Sequence, residues 1–380
     1  MSAAERITEA LTQGMAEAGL PGLVAAARMP DGERVEIALG VRGADTPAPM
    51  TTDTLFWVAS CTKALTSVAA LQLVEEGLLE LDDPVGRWLP RLAAPMVLKG
   101  FDAADKPILE PAAEPITLRR LLTHTAGFGY EFCSATLVRY VAATGVSMMG
   151  LEPPDVPLLF EPGSDWQYGI ATDWVGQLIE AVTGESFDDA LRRRVLAPLG
   201  MDDTGFFLSD AQRARLASMH VRTPDGGLAP MSFAMPSEPH FGMGGGGLYS
   251  NPGQYLRFLD SMLGRGPQLL KSDHFDLFCE SQVEGPDIGV LTSAQPHLSN
   301  TFDPFPAAAK AWTLGFVANL EPGVNGRRAG SLAWAGLSNC YYWIDREAGA
   351  AGVLCAQFLP FADPRALAAF GAFERAVYAG

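Results

Sequence analysis

Ile7, Leu11 and Met15 recur at helical spacing among Glu5, Arg6, Glu9 and Glu17, so Met1 to Leu20 is predicted to form an amphipathic helix. Two short apolar runs follow, Gly22 to Arg28 and Arg34 to Leu39, separated by Pro30-Asp31-Gly32; this predicts two strands joined by a turn. The other end of the chain repeats the strand character. Trp312 to Leu320, Arg328 to Trp334, Cys340 to Ile344 and Ala351 to Phe358 read as four strands separated by Gly, Asn and Asp turns, and Pro364 to Tyr378 reads as a closing helix.

The middle is different. Leu71 to Leu89, Ile116 to Thr123, Thr172 to Thr183 and Phe187 to Val195 carry helical patterns, joined by connections rich in proline and glycine such as Glu152 to Pro157. These patterns predict a mixed α/β (α+β) chain: an antiparallel sheet flanked by helices, plus an inserted helical domain. Residues 1–85 and 240–380 would form the α/β domain and residues 86–239 the mainly helical one. The cluster from Gly242 to Gly247 precedes a predicted helix, Pro252 to Leu263, for which Ser250 is the expected cap. Two readings of that cluster stand level, a tight turn and a close approach of backbone to an active site.

Composition narrows the function. The 380 residues are 48% hydrophobic and 19% charged, enough for a large core. A net charge of −17 argues against nucleic acid or an anionic membrane as partner, since both demand basic patches. No stretch reaches the roughly 18 apolar residues of a membrane span, and the first helix lacks the apolar core of a signal peptide, so the chain is expected to be soluble and cytoplasmic. Its five cysteines (61, 133, 279, 340 and 355) show neither a disulfide framework nor zinc spacing. The histidines at 220, 240, 274 and 297 likewise lack metal-ligand spacing. No metal or cofactor is expected.

The chemistry is concentrated at Ser60-Cys61-Thr62-Lys63. Residues three apart share a helix face, so Ser60 at a helix start and Lys63 in its first turn can bring hydroxyl and amine together as nucleophile and base. A serine N-cap followed by a solvated lysine gives the same spacing, and chance alone produces it in roughly a quarter of chains like this. Surroundings tip the balance: Thr66 to Leu73 is apolar or small on nearly every face, which predicts a helix buried all round. A lysine at its head is costly unless used. Burial and the positive helix end both disfavour its ammonium form and draw its pKa down toward the working range of a base. Cys61 reads as a small core residue.

Further along lie Leu121 to Gly127 (Leu-Leu-Thr-His-Thr-Ala-Gly), Glu161-Pro162-Gly163 leading to Trp166-Gln167-Tyr168-Gly169-Ile170, the Gly244 to Ser250 stretch, and Trp334-Ala335-Gly336. In this order and spacing they resemble the serine β-lactamase and penicillin-binding-protein superfamily, most closely the β-lactamase-like esterases called family VIII carboxylesterases. The resemblance runs over nearly the whole chain. It implies Ser60 as the acylated nucleophile, Lys63 as its base partner and Tyr168 as a phenol relaying protons to and from the leaving group. It also places Trp334, Ala335 and Gly336 on an edge strand beside the site, with the backbone N–H groups of Ser60 and Leu337 as an oxyanion hole. A phenol beside a lysine can be held partly ionised, and the two would titrate as a coupled pair. His124 belongs to a structural motif in this family.

Two departures bear on substrate. Penicillin-recognising members carry an asparagine where Ile170 stands and a lysine where Trp334 stands. An apolar Ile170 and an aromatic Trp334, with Trp57 and Trp166 nearby, suit an uncharged acyl or alcohol group. A small-molecule, short-chain carboxylic ester is therefore the expected substrate, with weak β-lactam hydrolysis as a side activity and D-amino-peptide hydrolysis disfavoured for want of charge recognition. Acyl transfer to an alcohol or amine is the alternative fate of the acyl-enzyme. A non-catalytic acyl-binding protein is the remote one, opposed by the intact Ser60, Lys63 and Tyr168 set. No Gly-x-Ser-x-Gly elbow occurs, which removes the α/β-hydrolase reading.

Overall fold

The two chain ends meet in one sheet. A computed structural model describes residues 1–148, 152–233, 242–285, 287–306 and 308–379. Its main sheet has eight strands: β1 (Gly22–Arg28), β2 (Arg34–Gly40), β3 (Val283–Glu284), β4 (Lys310–Trp312), β5 (Val317–Asn319), β6 (Leu332–Gly336), β7 (Cys340–Asp345) and β8 (Ala350–Cys355). They are ordered β2-β1-β8-β7-β6-β5-β4-β3, every pairing antiparallel. Among the helices are α1 (Ala3–Ala18), α2 (Thr62–Glu75), α3 (Ala171–Thr183), α4 (Pro252–Met262) and α5 (Pro364–Tyr378).

The amphipathic N-terminal helix forms as its pattern predicts. Ser2 and Glu5 close a capping box at its start, and Gly19 ends it in the left-handed region with φ 62°. Ile7, Leu11, Gly14 and Ala18 are its buried face. At Gly14 a Cβ would come within 2.7 Å of Ala369 Cβ, so the glycine lets α1 and α5 pack closely.

Between the two ends lies the buried helix. Every α2 residue from Thr62 to Leu71 is buried, and Leu73 with them. This agrees with the run of small and apolar residues, but of the helix predicted from Leu71 to Leu89 only Leu71 to Glu75 is helical, as the end of α2. The polar Glu75-Glu76 pair and Gly77, with φ 70°, end α2; beyond it Pro84 and Pro90 permit only short 3₁₀ turns, Val85–Arg87 and Pro90–Leu92.

Other boundaries move for equally local reasons. Trp312 to Leu320 divides into β4 and β5, because Thr313 Oγ1 accepts hydrogen bonds from the backbone of Gly315 (3.2 Å) and Phe316 (3.0 Å) and turns the chain. The residues from Arg328 to Ser331 do not enter β6; the Arg328 N–H is held by the Asp345 carboxylate at 2.8 Å. Asn251, not Ser250, caps α4, its Oδ1 accepting from Gln254 N at 2.8 Å. Ser250 is instead in a short strand, Tyr249–Ser250, paired with Phe56–Trp57. The middle of the chain also holds a hairpin, Met96–Phe101 with Pro107–Pro111, that its helical patterns did not foretell.

Candidate functional site

Ser60 sits in a turn pinned from both sides. Phe56–Trp57 pairs antiparallel with Tyr249–Ser250, and Val58 N donates to Leu248 O at 3.0 Å. Ala59 then takes a left-handed φ of 45° and starts the short turn Ala59–Cys61 that runs into α2. Thr62 Oγ1 donates to Ala59 O (2.6 Å) and accepts from Leu248 N (3.1 Å), while Ser338 Oγ donates to Trp57 O (2.6 Å). The strained residue ahead of the serine is held by these bonds.

Lys63, only 2% exposed, reaches back one helical turn. Its Nζ donates to Ser60 Oγ at 3.2 Å, to the Tyr130 hydroxyl at 3.1 Å and to the Gly245 carbonyl at 2.6 Å. Burial draws its pKa down to about 8, against an opposing pull from Asp173. The lysine is therefore close to the pH at which it can accept a proton.

Tyr168 lies on the loop that enters α3 and is buried. Its ring lies under the lysine, with Nζ 4.7 Å from the ring centroid, and its hydroxyl accepts from Trp334 Nε1 at 3.0 Å. Burial pushes the phenol well above its usual range, while hydrogen bonding with Ser60 and Trp334 brings it part of the way back. The resting phenol is thus neutral, which corrects the expectation of a partly ionised tyrosine: the amine meets its ring face, and the phenol bonded to Lys63 is Tyr130. His124, with φ 58°, packs its buried ring 4.8 Å from that of Tyr168. Burial first, then Lys63, holds the imidazole well below its ordinary pKa, so it is neutral support for the tyrosine.

The glycine cluster is both a tight turn, with Gly246 N and Gly247 N donating to Met243 O at 3.1 and 2.8 Å, and a close approach of backbone to the serine and lysine. Gly244 O accepts from Thr66 Oγ1 (2.7 Å), Gly245 O from Lys63 Nζ, and Gly246 O from Trp57 Nε1 (2.7 Å), so the segment lies along the head of α2. A Cβ at Gly244 would stand 2.7 Å from Thr172 O, and one at Gly245 would stand 2.8 Å from Asp173 Oδ1. Space, not a positive φ, demands glycine there.

Trp334, Ala335 and Gly336 are on β6. The resemblance placed them on an edge strand, but β6 is interior, between β7 and β5. It pairs with β5 only at Leu332 and Ala333, so its last three residues lack a ladder partner on that side. That freed end presses on the serine turn, where a Cβ at Gly336 would come 2.2 Å from Val58 O. Leu337 follows at once and packs against the cluster holding Trp57 and Ala59. Trp57 also faces Phe233, ring centroids 4.7 Å apart. Ile170 is buried in the main core just before α3. Cys61 is buried with its thiol pushed up by burial, and all five cysteines are free. No metal-holding cluster occurs among the described residues; His240 lies outside them.

Two residues were missed from sequence. Tyr130 closes the stretch Gly127-Phe128-Gly129-Tyr130 at the end of the Leu121 to Gly127 motif, and Asp173 is an acid between Thr172 and Trp174. An acidic residue in a first helical turn reads as an ordinary dipole partner, which hid its burial.

An alcohol bonded to a buried amine that lies over the ring of a neutral phenol is an arrangement suited to acyl transfer through a serine, and this fold and site are those of the Ser-x-x-Lys class. The chain belongs to the Beta-lactamase family, whose model it matches over residues 7–376. It is 36% identical over 350 residues to monacolin J acid methylbutanoyltransferase of Aspergillus terreus, covering 87% of this chain and 83% of that protein. It is 32% identical over 324 residues to lovastatin esterase of Penicillium rubens, covering 80% of each. Unliganded simvastatin synthase of Aspergillus terreus superposes with a TM-score of 0.85 at 32% identity, over 100% of this chain and 98% of that one. These relatives are esterases and acyltransferases, and the chain is an enzyme of that kind. No helix among the described residues is long and apolar enough to cross a membrane.

Proposed function

We propose that the chain is a carboxylesterase of the family VIII kind that cleaves short-chain esters through an acyl-Ser60 intermediate. The observation that carries this reading is the 3.2 Å bond between Lys63 Nζ and Ser60 Oγ at a lysine whose pKa is drawn to about 8. Neutral Lys63 takes the Ser60 proton as Oγ attacks the ester carbonyl. The oxyanion is met by the N–H groups of Ser60 and Leu337. Tyr168 gives its proton to the departing alkoxide, and the phenolate left behind recovers one from the Lys63 ammonium by way of the water that enters as the alcohol leaves, since Nζ meets the Tyr168 ring and not its hydroxyl. Water, activated by the same pair, then releases the acid. Ile170, Trp57 and the Trp334 to Gly336 strand bound the space for an uncharged substrate.

The transferase names of its relatives favour a second acceptor, an alcohol. In that case the same acyl-enzyme passes its acyl group to a hydroxyl held against the Trp57 and Phe233 rings.

Intact mass after incubation with a p-nitrophenyl acyl ester or a phosphonate, with released nitrophenol followed in parallel, tests the scheme. A single adduct that disappears in Ser60→Ala is expected, with turnover down by orders of magnitude in Ser60→Ala, Lys63→Ala and Tyr168→Phe while each variant stays folded at the assay temperature. Wild-type rates in a folded Ser60→Ala variant would refute it. Adding an alcohol and measuring the ratio of transferred ester to free acid separates the two acceptors.

A further inference from the structure

Asp173 is a buried carboxylate to which the acyl-transfer scheme gives no task. It is 4% exposed, in the first turn of α3. Its Oδ1 accepts from Gly245 N at 2.7 Å, and on the other side of that residue Gly245 O accepts from Lys63 Nζ at 2.6 Å. One peptide segment thus links carboxylate to amine. A Cβ on Gly245 would lie 2.8 Å from Oδ1 and 3.0 Å from Oδ2, so the carboxylate fits flush against that residue.

The other titratable groups around Lys63 carry no charge. Cys61 in the turn just before α2, and Cys133 and Tyr130 on the neighbouring segment, are raised by burial. Tyr168 on the loop before α3 is raised likewise, and His124 is lowered. The glycine segment and β6 offer no titratable group among the residues that meet Lys63. Among the described residues Asp173 is therefore the counter-charge of the lysine, and its own pKa is pushed up to about 6 by burial, with Lys63 and the Gly245 N–H pulling the other way.

We propose that Asp173 is a positioning residue that orients Gly245 for Lys63 and, through its negative charge, controls how tightly that lysine holds its proton. This role rests on Ser60 and Lys63 acting as nucleophile and base. Its sign is fixed: an anion nearby strengthens proton binding by the lysine, so its removal lets the base form at lower pH. Asparagine keeps an oxygen for the Gly245 N–H and removes the charge, whereas alanine removes both.

The experiment is the pH profile of kcat/KM with a neutral p-nitrophenyl ester for wild type, Asp173→Asn and Asp173→Ala, with phosphonate labelling of Ser60 followed by mass. We expect the acid limb of Asp173→Asn to move down by about one pH unit with its plateau kept within a few-fold. Asp173→Ala should also lose about tenfold or more of the plateau. An Asp173→Asn profile that superimposes on wild type, or one that loses plateau without moving, overturns the proposal. Wild type that fails to label at Ser60 overturns the underlying scheme instead, so the two failures are distinct. If Asp173→Asn does not fold, reciprocity supplies the check: in Lys63→Met the buried-carboxyl infrared band should titrate at higher pH than in wild type, and no movement overturns the coupling.

Discussion

Lys63 is both the centre of the chemistry and a burden on the fold. Its pKa falls from 10.5 to about 8 on folding, so between those values the unfolded chain holds a proton that the native chain does not, and stability rises with pH across that window. Below it, the buried ammonium opposes folding. Lys63→Met removes the titration, which predicts that wild type gains about 2 kcal/mol on the variant between pH 7.5 and 9.5. Urea unfolding of both at the two pH values measures this, and a difference independent of pH would show that the lysine is not desolvated. The lysine's position was legible because Ser60 and Lys63 are three residues apart on one helix. Its hydrogen-bond partners were not, since Tyr130 and Gly245 lie 67 and 182 residues away in sequence.

At the scale of elements, the site is a junction of three segments on the head of α2: the glycine cluster, the loop into α3 and the freed end of β6. Gly336 fixes the last of these, since a Cβ there would meet Val58 O at 2.2 Å, directly before the serine turn. Gly336→Ala should push the strand end away from Ser60 and lower kcat/KM by about 10²-fold, because displacements near 1 Å at a reacting centre have that effect. Steady-state kinetics alongside far-ultraviolet circular dichroism decides it: full activity in the folded variant would mean that this contact does not position the turn. The glycine cluster was visible in sequence and its turn is local, Gly246 N and Gly247 N bonding back to Met243 O, but its close approach was not legible, because what a missing Cβ avoids there is another segment. The hairpin in the middle was missed because Met96 to Phe101 is short and interrupted by a bulge between Leu98 and Gly100.

For the whole molecule, a net charge of −17 surrounds a site whose own lysine is partly neutral. Anionic esters should be repelled at long range and neutral ones should not. Raising ionic strength from about 10 to about 200 mM shortens the screening length several-fold, so kcat/KM for p-nitrophenyl hemisuccinate should rise several-fold while that for p-nitrophenyl acetate stays flat. Parallel salt titrations test this, and equal responses would show that the local field of the site outweighs the global charge.

The sequence by itself determined the parts whose cause is local. The helices at both ends, the strand pattern, the Ser60 and Lys63 spacing and the order of the motifs that mark the family all depend on residues close together in the chain. Tertiary structure decided what depends on segments that meet only on folding. It made β6 an interior strand whose free end reaches the serine turn and left Tyr168 a neutral phenol with Trp334 as its donor. It also gave Lys63 a phenol partner in Tyr130 and set Asp173 opposite it as a counter-charge. A protonation state is a property of the surroundings that burial creates, and those surroundings come from residues far apart in the chain.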